Sequence, residues 1–127
     1  MEFEGKYRVK KAMTMTDNGF EFVPRETLET LDDEDYMQML KMIIGIDEHA
    51  LRVFLKPTEA DMALLEEEGL TLNEDGLLPL EEHEIISEDG EWKYECGESD
   101  GETVYIPLSR NEDGDIVYGE MLILEKL

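Results

Sequence analysis

The chain has 127 residues, 41% apolar and 35% charged, which is enough for one domain with a real core and too apolar for a disordered acidic tail. Its 34 acidic against 11 basic residues give a formal net charge of −23, a field that repels nucleic-acid phosphates and anionic membrane surfaces and favours cationic partners. A lone cysteine, Cys96, excludes an intramolecular disulfide, and no apolar run is long enough to cross a bilayer.

The opening "MEFEGKYRVK" is charged and unlike a signal peptide. With the single thiol, this makes a cytoplasmic protein of one domain, residues 1–127, the expectation. Along "FEGKYRVKKAMTM" Phe3, Tyr7, Val9, Met13 and Met15 share one parity and Glu4, Lys6, Arg8 and Lys10 the other. That alternation predicts a half-buried strand, with Lys11 the one mismatch. Asn18-Gly19 then suggests a type I′ hairpin turn, and "FEFV" at 20–23 a returning strand ended by Pro24.

The period changes in "TLDDEDYMQMLKMIIG". A Thr30 cap, acidic residues at 32–35 and a closing Gly45 predict a helix, with Tyr36, Met39, Leu40, Ile43 and Ile44 as its apolar stripe. A strand is expected at 50–57 and a second helix at 58–69, capped by Thr58 and ended by Gly69. Beyond it the period returns to two. Asp-Gly pairs at 75–76, 89–90, 100–101 and 113–114 punctuate short segments, the signature of an antiparallel meander. Trp92, Tyr94 and Cys96 share one face, as do Val104, Ile106 and Leu108. The last segment, "IVYGEMLILE", is apolar on both parities and should be covered on both faces, the helix at 31–44 being one possible cover.

"NEDG" at 73–76 and 111–114, and "SEDG" at 87–90, resemble calcium loops. An EF-hand needs Gly at its sixth and Glu at its twelfth position, but counting from Asn111 these are Ile116 and Leu122. The repeats therefore read as turns, and no metal site is expected. His49 and His83 are far apart in sequence, Cys96 sits among aromatics as a core thiol would, and phosphate-loop, dinucleotide and serine-nucleophile motifs are lacking. No catalytic residue and no cofactor is assigned. Of eight methionines, seven fall on or near predicted apolar faces, suiting either core packing or an adaptable ligand wall.

Gly5-Lys6-Tyr7 resembles the Gly-x-Trp opening of the calycins, the lipocalins and fatty-acid-binding proteins, with tyrosine in place of tryptophan. The resemblance implies a barrel that pairs its first strand with its last, so that Lys6, Arg8 and Lys10 face Glu120 or Glu125. It also implies a basic residue packed over the opening aromatic, here Lys126. The expected fold is mainly β with inserted helices (α+β): an antiparallel meander forming a barrel or strongly curved sheet, with two short helices between strand 2 and the C-terminal strands. The expected function is non-catalytic binding of a small apolar or cationic ligand by Tyr7, Val9, Met13, Trp92, Tyr94, Val104 and Ile106. Two alternatives stay open: an acidic module docking a basic protein partner, and an enzyme using a cavity carboxylate.

Overall fold

A computed structural model describes residues 2–119 and 121–127. In chain order the elements are β1 (Gly5–Thr16), β2 (Gly19–Pro24), α1 (Arg25–Leu28), α2 (Glu34–Leu40), β3 (Met42–Ile46), β4 (Ala50–Leu55), α3 (Glu59–Glu68), β5 (Leu78–Glu88), β6 (Glu91–Ser99), β7 (Glu102–Pro107), β8 (Ser109–Arg110), β9 (Ile116–Tyr118) and β10 (Leu122–Lys126). The strands form one antiparallel sheet in the order β7-β6-β5-β4-β3-β1-β10-β9-β8, with β2 beside the far end of β1. β7 and β8, at opposite ends of that order, are one stretch of chain. The Leu108 amide donates to the Trp92 carbonyl at 2.8 Å, while Ser109 and Arg110 pair with Val117 and Ile116. One segment thus reaches both ends of the sheet and curls it into a nearly closed barrel.

The first strand pairs with the last, as the calycin resemblance implies, with Tyr7 opposite Lys126 and Val9 opposite Leu124. Arg8 meets Glu125 at 2.7 Å. Lys6 instead reaches Asp75, and Lys10 reaches Asp115; Glu120 lies outside the described residues. The cation–π contact is not Lys126 on Tyr7, as the resemblance implies, but Arg110 on a different ring, 4.8 Å from the centre of Phe3. Lys126 lies over Gly5, where a β-carbon would meet its Cε at 2.9 Å.

β1 departs from simple alternation. Its register with β10 shifts between Val9 and Lys11, a bulge that inserts one residue and reverses the facing of those that follow. Tyr7 and Val9 point into the core, and beyond the bulge Ala12 takes the inward place. Met13 and Met15 are therefore turned outward, contrary to the alternation of the sequence, and Lys11 is no mismatch. Inside, Val9, Ile44, Leu51, Ile116 and Leu124 are wholly buried. Leu28 of α1 and Leu40 of α2 join the same cluster.

The expected helix at 30–45 is half right. Only Glu34–Leu40 is helical, capped by Asp33, whose side chain accepts from the Asp35 amide. "MIIGI" is β3, because Ile43 and Ile44 are β-branched and pair between β1 and β4. Gly45 is a strand residue facing the Phe54 ring rather than a cap. α1 was not expected; Pro24 precedes it and has no amide to leave unbonded. The second helix is as expected: Thr58 and Asp61 form a reciprocal capping box and Gly69 closes it at φ 74°.

The acidic turns are of two kinds. Asp89-Gly90 and Asp100-Gly101 have positive φ at both residues, the type I′ geometry of a two-residue hairpin. The two NEDG copies share another design. Asn73 Oδ1 accepts from the amides of Asp75 and Leu77, and Asn111 Oδ1 from those of Asp113 and Asp115. In each, the Asn amide also donates to the carbonyl four residues on. The Asn18-Gly19 turn is not type I′, since Asn18 keeps a negative φ. Cys96 is exposed, not core: the β6–β7 register shifts beside it, between Glu95 and Gly97.

Candidate functional site

Where β1, α2 and the β9–β10 connection meet, a cleft of about 190 Å³ is lined by Ala12, Met13, Met39, Tyr118, Gly119, Met121 and Leu122. The β1 bulge turns Met13 toward it. The Met13 amide then donates to the Met121 carbonyl at 2.8 Å, fixing the two methionines side by side. Met39 comes from α2, which is tied to β1 by the Tyr36 hydroxyl donating to Thr14 Oγ1 at 2.7 Å. Ala12 and Leu122, a cross-strand pair, form the floor. Three thioethers from separate elements thus converge over an apolar base, and unbranched methionines can follow a ligand's shape.

Tyr118 is the polar point of the cleft. Its ring stacks on Tyr94, with centroids 5.4 Å apart and planes 15° apart. The Gly119 amide donates to the Tyr94 hydroxyl at 3.1 Å. Burial pushes the Tyr118 phenol up to about 12, reinforced by the Tyr94, Glu81 and Cys96 charges, so it is neutral at physiological pH and able to donate.

Of the residues expected to line a ligand site, only Met13 borders this cleft. Tyr7, Val9 and Tyr94 are buried in the packed interior, Tyr7 with its hydroxyl donating to the Phe3 carbonyl at 2.7 Å. Trp92 and Ile106 pack against that interior and are partly buried. Val104, on β7 opposite Gly97, is exposed. The sequence reading missed Met39, Tyr118 and Met121. Their signal was the methionine content, together with the Lys11 mismatch that marks the bulge.

Comparison with protein-family models, with curated proteins and with solved structures finds no match. Among the described residues no group of three His, Cys, Asp or Glu side chains is placed to hold a metal ion. His49 and His83 each face a neighbouring glutamate, Glu48 and Glu81. No described helix is long and apolar enough to cross a membrane. A second cleft, of about 210 Å³, gathers Arg8, Arg25, Lys41 and Lys56. Three of those cations are already engaged: Arg8 by Glu125, Lys41 by Asp61 at 2.8 Å, and Arg25 by the Val9 and Leu40 carbonyls at 2.7 and 2.6 Å.

Proposed function

We propose that this protein is a calycin-like, non-catalytic binder of a small, mainly apolar molecule, held in the methionine cleft at the end of the barrel rather than inside it. The observation that carries the reading is the convergence of Met13, Met39 and Met121 on one apolar cleft, in a barrel whose interior is occupied by its own side chains. Pairing of the first strand with the last supports the calycin likeness. Sites for drug-sized ligands span roughly 300–1,000 Å³. A cleft of about 190 Å³ suits a single ring or a short chain. Tyr118 supplies one hydrogen bond, and the field of a −23 chain enriches cations over anions near the mouth.

The test uses protein carrying ¹³C-methyl methionine, titrated with benzylamine, benzyl alcohol and benzoate. Saturable shifts are expected at Met13, Met39 and Met121, weakest with benzoate and lost in Met39→Trp, whose ring fills the cleft. Shifts that do not saturate, or that spread equally to Met15 and Met62, which do not line the cleft, would overturn the proposal.

A further inference from the structure

β2 is bonded on one side only. It pairs with β1, and no other strand pairs with it among the described residues. The direction of its free groups follows from one bond. The Met13 amide points at Met121, away from β2, so the Met13–Phe22 pair is one whose members do not bond to each other. The backbone N–H and C=O of Phe22 therefore face the open edge, and by the period of a strand so do those of Phe20. Met15 and Phe20, another cross-strand pair, are 70% and 68% exposed, and Phe22 is 39% exposed. Natural edge strands are usually blunted by lysine, proline or a covering loop; this one has proline only at its last residue, Pro24, and presents two phenylalanines to water.

On the paired side of β2, away from its free edge, a groove of about 310 Å³ runs from Phe22 past Lys11 of β1 to Ile123 and Val117, with Asn111, Glu112 and Asp113 along it. Glu21 stands between the two phenylalanines. A second copy of this chain would bring another −23 against the same edge, and that repulsion opposes self-pairing. A cationic strand meets no such cost.

We infer that the free edge of β2 is a docking site for an extended basic segment of another protein. That segment adds as a strand, sets alternate apolar side chains beside Phe20 and Phe22, and turns the lysines or arginines of its other face toward Glu21. Main-chain bonds supply affinity and the alternating side chains supply selectivity, as in other strand-addition complexes. This surface does not depend on a ligand in the methionine cleft.

Fluorescence anisotropy tests it with a labelled peptide alternating lysine and valine. Two controls accompany it: the same peptide with glutamate for lysine, and one N-methylated at every second amide, which keeps charge and side chains but cannot pair. Saturable binding that weakens with salt is expected for the lysine peptide, with at least a tenfold loss for either control. Phe22→Pro removes an outward N–H, which edge strands tolerate, together with the Phe22 ring, and should cause a similar loss while amide spectra show the hairpin intact; Phe22→Leu, which keeps the N–H and an apolar side chain, should lose less. If the proline variant disturbs the hairpin, the N-methylated peptide still decides the question on wild-type protein. Equal binding of the N-methylated peptide, or none by the lysine peptide at low salt, overturns the inference. So does a dimer in high salt that Phe22→Pro dissolves, because the edge would then belong to a second copy.

Discussion

A single phenol reports on how the site is built. Tyr118 rests on Tyr94 at the barrel's end, and burial holds its proton to about pH 12, whereas an unfolded tyrosine ionises near 10. The folded state therefore binds the proton more tightly. Its contribution to stability is complete below pH 10 and is lost as pH rises from 10 through 12. An ultraviolet titration should show one tyrosine ionising near 12 in wild type and missing in Tyr118→Phe. Thermal melts of that variant should fall less steeply over the same interval. A wild-type titration in which every tyrosine ionises near 10 would mean that Tyr118 is open to water. Asp47 is shifted the other way: burial alone would raise it, but the Ala50 and His49 amides and the Arg52 guanidinium hold it at about 2.

At the scale of elements, the two NEDG loops differ from the SEDG turn in what anchors them. Asn73 and Asn111 each accept two backbone amides, while the SEDG turn rests on the φ values of Asp89 and Gly90. Asn73→Ala and Asn111→Ala should each cost about 1–2 kcal/mol in urea unfolding, and the exposed Ser87→Ala should stay within about 0.5 kcal/mol of wild type. Equal effects at all three sites would contradict this division. The rhythm of the meander was legible because turn chemistry is local: Asp-Gly and Asn-x-Asp-Gly dictate reversal wherever they occur. The Thr58 cap of α3 was legible for the same reason. The β1 bulge was not, because it exists only in register with β10, over a hundred residues away. Nor was the change from α2 to β3, where Ile43 and Ile44 fit a helical stripe as well as a strand until β1 and β4 flank them. The site depended on both features, so its residues were foreseen less well than the fold.

At the scale of the molecule, charge opposes compactness. The ion pairs are mostly at the surface, and a pair such as Lys6–Asp75, more than half exposed on both sides, contributes little. Repulsion among the excess carboxylates is stronger than that attraction. Screening should therefore stabilise the protein: Tm is expected to rise by several degrees from low salt to about 0.5 M sodium chloride, where the screening length is only a few ångströms. A falling Tm would mean that the ion pairs outweigh the repulsion. The seam between β1 and β10 has a consequence in time. Tyr7 and Lys126, which face each other in the barrel, leave the ribosome roughly 6–25 s apart at about 5–20 residues per second. Through that interval β2 and β3 can occupy one side of β1 while the side that β10 will take stays open, and the negative field of the growing chain opposes pairing of neighbouring nascent chains along it.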